Sequence, residues 1–134
     1  MADIKRLPCF TIDSESKPGQ LLTFVRRFKD ANVNLLGIWA FETRPGTGQC
    51  YVVAHDPAAL RKLLQATGWK FKETTCFHVT GDDQAGALVE ALEPVAKDGI
   101  NLQAVEGIGV GGKYGAFLFA DAKDTDRVGK LLKA

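Results

Sequence analysis

Residues 107–112 read GIGVGG, which sets Gly107, Gly109 and Gly112 at the G-x-G-x-x-G spacing of a dinucleotide-binding turn. That chemistry needs a strand before the turn and a helix opening directly after it, because the helix N-terminus holds the pyrophosphate. The triplet Cys76-Phe77-His78 offers two metal-ligand types close together. No second ligand pair stands at zinc-like spacing, so no metal site is expected. Cys9, Cys50 and Cys76 each lie in an apolar, strand-like stretch and read as reduced, buried thiols. His55 and His78 read as structural or solvated. No Ser/His/Asp or Cys/His set pairs a nucleophile with its base, so neither a catalytic residue nor a cofactor is expected.

The elements that position these residues follow from the bulk of the chain. Its 134 residues suit one domain or two very small ones, and a hydrophobic fraction of 46% supplies a packed core. A formal net charge of +1, without a basic block, argues against a nucleic-acid partner. No apolar run reaches the roughly 18 residues of a membrane span. The opening MADIKRLPCF has no long apolar stretch of the signal-peptide kind. With the reduced cysteines, this predicts a cytoplasmic location.

The chain repeats itself. Sliding the sequence by 67 positions lays Lys5 on Lys72, Cys9 on Cys76, Phe10 on Phe77 and Gly19 on Gly86. The same offset lays Leu21 on Leu88, Asn34-Leu35 on Asn101-Leu102, and Gly48 on Gly115. The pattern repeats as well. PGQLLTFVRRFKDAN carries Leu21, Val25 and Phe28 at helical spacing, with Arg26, Arg27, Lys29 and Asp30 outward. Leu88, Leu92 and Val95 repeat the stripe. Pro18 suits the first turn of its helix, whereas Pro94 falls inside the second and should kink or shorten it. Strands follow at 34–41 and 101–108, then Gly-rich turns, second strands in QCYVVA and AFLFA, and short helices from Pro57 to Ala66 and Thr125 to Lys133.

GIGVGG therefore leads into the strand KYGAFLFA and not into a helix, which makes it a hairpin connection rather than a phosphate cradle. The stretch WKFKETTCFHVT at 69–80 must supply the last strand of one unit and the first of the next. Nothing follows the last helix to serve as a fourth strand, so residues 2–6 are expected to complete the second sheet. The fold class is α+β: two tandem ferredoxin-like βαββαβ units, 1–72 and 73–134, antiparallel sheets with helices on one face. NLLGIWAF, CYVVA and AFLFA are apolar on both alternations, which predicts sheets covered on both faces, by each other or by a second subunit.

These features resemble the ACT domain, a βαββαβ regulatory module that binds amino acids. The resemblance rests on Ser16-Lys17-Pro18-Gly19-Gln20-Leu21 with Asn32-Val33-Asn34-Leu35, and on Asp83-Gln84-Ala85-Gly86-Ala87-Leu88 with Gly99-Ile100-Asn101-Leu102. It covers the whole chain as two units. Ser16 stands where the family often has Asn or Asp, and Ala85 replaces the proline of the P-G pair.

The resemblance implies a ligand held at an interface between units, by the helix-start turn of one and the strand of its neighbour. Carried over, it nominates Ser16, Gly19, Gln20, Leu21 and Asn34 in the first unit, and Asp83, Gly86, Ala87, Leu88 and Asn101 in the second. Physically, the start of a helix presents unpaired N–H groups to a carboxylate, and an asparagine can meet either end of a zwitterion. The expectation is a non-catalytic amino-acid sensor, a homodimer that regulates a partner enzyme. The alternative is a structural or protein-interaction module with vestigial pockets. An acyl-phosphate hydrolase on the same fold would need an Arg in an anion-cradling loop, and the helix-start turns offer Lys17 and Gln84 instead.

Overall fold

A computed structural model describes residues 2–134. The chain forms two compact units. One is Pro8–Thr74; the other is Thr75–Ala134 together with the N-terminal stretch through Leu7. Strands β1 (Asp3–Glu15) and β4 (Phe71–Asp82) each serve both units in turn.

In the Pro8–Thr74 unit, β1 is followed by α1 (Gln20–Asp30), β2 (Leu35–Arg44), β3 (Thr47–Ala54) and α2 (Pro57–Thr67), and the first residues of β4 close the sheet. The strand order is β2-β3-β1-β4, with β3 antiparallel to both neighbours in register Phe10↔Val52 and Ile38↔Val52. Phe10, Ile12, Phe24, Phe28, Cys50, Val52, Leu60 and Leu64 make its core. α2 starts on Asp56, whose carboxylate accepts from the Ala59 N–H at 3.2 Å, has Pro57 in its first turn, and ends on Gly68 at φ 76°.

The other unit repeats the plan with α3 (Val89–Lys97), β5 (Leu102–Val110), β6 (Lys113–Ala120), a 3-10 turn (Ala122–Asp124) and α4 (Thr125–Leu132). Its order is β1-β4-β6-β5, and Phe77, Val79, Val95, Leu118 and Val128 lie in its core, with Ile4 packed alongside. Both units are ferredoxin-like, as the repeat predicts. The same contact recurs in each. The Arg61 guanidinium lies 5.6 Å from the Phe10 ring centre, and Arg6 lies 6.0 Å from that of Phe77, the repeat partner of Phe10.

Four sequence expectations need correction. First, α1 buries Phe24 and Phe28, while Leu21 and Val25 are 47% and 41% exposed. The apolar arc is wider than one stripe, and the sheet takes its phenylalanine edge. Second, Pro18 precedes α1. The Gln20 N–H donates to the Lys17 carbonyl at 3.3 Å and Gly19 has φ 84°, a turn of type II pattern with proline second and glycine third. Ala87 and Gln84 repeat that bond at 3.1 Å around Gly86, so the turn survives without the proline. Third, α3 runs through Pro94 to Lys97. It is shorter than α1 because it starts later, at Val89. Fourth, Gly48 does not correspond to Gly115. β1 pairs Ser14 with Gly48, whereas β4 pairs Gly81 with Tyr114. An irregularity between Glu42 and Arg44 in β2 holds one extra residue, so past the hairpin the repeat slips by one.

Ile38 and Phe41 of β2, and Val105, Ile108 and Val110 of β5, are exposed in the single chain.

Candidate functional site

The GIGVGG residues form the β5–β6 hairpin. Gly107 and Gly109 lie within β5, and Gly111 and Gly112 make the turn at φ 58° and 82°. Positive φ at both central positions is the type I′ signature, which closes a hairpin and presents no helix N-terminus. The His78 ring stacks on Phe117 at 4.5 Å between centres, and Cys76 is fully buried. Among the described residues no cluster of His, Cys, Asp or Glu could hold a metal.

The Pro8–Thr74 unit contains a cleft of about 210 Å³ at the start of α1. Ser14, Glu15, Ser16 and Lys17 form one wall, Gln20, Leu21 and Phe24 of α1 a second, and the ends of β2 and β3 the third. That third wall is Ala40, Phe41 and Glu42 with Gly48, Gln49 and Cys50. Its volume falls below the roughly 300–1,000 Å³ of drug-sized sites and suits a small metabolite.

The local sequence explains the opening. The Gly19 turn launches α1 with no side chain capping its N-terminus. Gln20 and Thr23 send their N–H groups back to Lys17 and Gly19, which by helix geometry leaves those of Leu21 and Leu22 for an outside acceptor. Gly48 carries no side chain into the space, and a Cβ there would stand 2.9 Å from the Phe41 carbonyl oxygen. Lys17 pairs with Glu15 at 2.9 Å, and Glu42 adds a second carboxylate to the lining. Burial pushes the Cys50 thiol up to about 11, and Cys9 adds to the effect. The thiol is therefore protonated at neutral pH and is a poor nucleophile.

Of the nominated residues, Ser16, Gln20 and Leu21 line this cleft, and Gly19 makes the turn beneath it. A Cβ on Gly19 would meet nothing within 4 Å, so its requirement is the positive φ. Asn34 stands at the opposite end of β2 from Ala40, about 20 Å away at the usual rise per residue. There its side chain accepts from the Leu35 N–H at 3.1 Å and its carbonyl accepts from the His55 N–H at 3.0 Å. Asn101 likewise precedes β5. In the second unit, Gly86 has φ 78°, the Ala87 carbonyl accepts a long hydrogen bond from the Tyr114 hydroxyl at 3.4 Å, and Leu88 leads into α3. The Asp83 carboxylate lies over Gly109, 2.7 Å from where a Cβ would stand. The motif located the helix start. It could not locate Glu42, Gly48, Gln49 or Cys50, because only strand pairing brings them there.

No protein-family model matches the chain, and no curated protein does. Solved structures do. A protein from Bacteroides thetaiotaomicron superposes with a TM-score of 0.83 at 18% identity, over 97% of this chain and 88% of that one. The regulatory subunit of aspartate kinase from Thermus thermophilus gives 0.62 at 12% identity, over 98% and 94%. Its counterpart from Thermus flavus gives 0.59 at 12%, over 99% and 94%. The chain thus has the fold of tandem ACT-type regulatory domains.

Proposed function

We propose that this chain is a non-catalytic regulatory protein whose α1 cleft binds a small zwitterion, an amino acid being the best fit. The observation that carries this reading is the uncapped start of α1 opening into a small cleft with carboxylates on its other walls. A ligand carboxylate fits against the first-turn N–H groups, where the helix dipole favours negative charge. A ligand ammonium fits toward Glu42. The fold shared with aspartate kinase regulatory subunits supports a regulatory role, with an enzyme as the regulated partner. Leu21, Leu22 and Val25, with Ile38 and Phe41, leave exposed apolar surface on the elements around the cleft. A second copy of the chain would cover it, making a homodimer. Asn34 has no place in the cleft of its own unit and could contribute only from a neighbouring copy. We place the protein in the cytoplasm; none of the described helices is long and apolar enough to cross a membrane.

The same exposed apolar residues support a second reading, a protein-interaction module in which the cleft is idle. Thermal unfolding against the twenty amino acids and a set of nucleotides separates the two. A ligand at a hundredfold excess over Kd stabilises by about 2.7 kcal/mol, a midpoint shift of roughly 5–15 °C for a chain of this size. A shift with one or two amino acids and none with nucleotides is the expected result. No shift with any amino acid refutes the sensor and leaves the interaction module.

A further inference from the structure

The two units are built alike but treat the cleft differently. Strand pairing fixes which residues correspond. Ser14 faces Gly48 as Gly81 faces Tyr114, and Glu42 faces Gly48 as Gly109 faces Tyr114. The position that is glycine in the first unit is therefore tyrosine in the second. The three positions around it change in the opposite sense, from Ser14, Ala40 and Glu42 to Gly81, Gly107 and Gly109.

Side chains of the same unit lie over these glycines, most tightly at Gly81. Cε1 of Tyr114 lies 2.8 Å from where a Cβ on residue 81 would stand, so even an alanine there collides with the ring. The Asp83 carboxylate sits equally close over Gly109, and Leu88 Cδ1 packs at 3.7 Å from the Cβ position of Gly107. The Tyr114 hydroxyl reaches the Ala87 carbonyl across the mouth of the helix-start turn. Tyr114 also packs against the core of its unit, and its burial, with Glu90 nearby, raises its phenol above the ordinary range.

We propose that the chain binds one small ligand, in the Pro8–Thr74 unit, and that Tyr114 is a built-in plug that holds the equivalent space of the other unit closed. This rests on the reading of the α1 cleft as a ligand site. A tethered side chain occupies its place without the entropy of association that a free ligand pays, so it outcompetes any weak binder. The second unit then keeps the fold and gives up the pocket.

The test is calorimetric stoichiometry with amide chemical-shift mapping on the full chain, with each of the twenty amino acids as probe in turn. The wild-type chain should bind one molecule per chain, with shifts at residues 14–21 and 40–50 and none at 81–88. Gln20→Trp, which fills the cleft from the first turn of α1, should weaken binding by at least tenfold. Tyr114→Ala should raise the stoichiometry to two and add shifts at 81–88. Two molecules bound by the wild-type chain would overturn the plug, as would a folded Tyr114→Ala chain that still binds one. Binding by no amino acid overturns the proposal at a different point, since it removes the ligand site itself.

Discussion

Gly111 and Gly112 both occupy left-handed backbone, and a side chain at either meets strain although open space surrounds it. Gly112→Ala should therefore cost about 1–2 kcal/mol, read as a fall in denaturant midpoint, without touching any binding property. The glycines of GIGVGG thus divide into two kinds. Gly111 and Gly112 answer to φ, whereas Gly109 answers to the Asp83 carboxylate lying over it. The hairpin was legible in the sequence, because a strand follows it where a phosphate loop needs a helix. The second kind was not legible, because it depends on which side chain another element brings across. The same limit explains the mismatch of Gly48 with Gly115. The constant offset is a property of the sequence, and the single extra residue in β2 is visible only in the pairing.

At the scale of elements, α1 shows how a correct period can carry the wrong face. Phe24, Leu21, Val25 and Phe28 share one apolar arc, and Phe24 lies only about 60° around the axis from Leu21 at 100° per residue. Spacing alone cannot centre such an arc. Phe28→Ala should cost about 3–5 kcal/mol in urea unfolding, whereas Arg26→Ser, at an exposed position on the outward face, should stay within about 0.5 kcal/mol. Equal costs would mean that the helix sits rotated from its described position. The link between α2 and β4 makes a different prediction. Arg61 donates to both carboxylate oxygens of Glu73, at 2.7 and 2.8 Å, and holds that carboxyl below its ordinary range. A carboxyl lowered on folding stabilises fully above its unfolded value, near 4.3, and loses that contribution as pH falls through the folded one. Glu73→Gln should accordingly lower the melting midpoint by a few degrees at pH 7, and the difference from wild type should shrink steadily below about pH 4.3. A difference independent of pH would assign the effect to shape rather than charge.

For the molecule as a whole, the repeat suggests two tandem units, 1–72 and 73–134, with residues 2–6 in the second sheet. The stretch through Leu7 groups with Thr75–Ala134, and the reasons lie in particular residues. Ile4 packs against the second core. Arg6 pairs with Asp126 at 2.5 Å and lies over the Phe77 ring. The units are thereby interleaved along the chain, which composition alone does not reveal. Interleaving has a measurable consequence. A charge at residue 4 is next to the boundary of the Pro8–Thr74 unit in sequence, yet it should damage the other one. Ile4→Asp places an unpaired carboxylate against the second core, which costs on the order of 2–4 kcal/mol. Hydrogen exchange on the full chain should then show protection falling across β4, β5 and β6, while β2, β3 and the Phe10–Ile12 part of β1 keep theirs. Protection lost first around Phe10 and Val52 would mean that the N-terminal stretch serves the unit it precedes, and the division of the chain would have to be redrawn at the sequence midpoint.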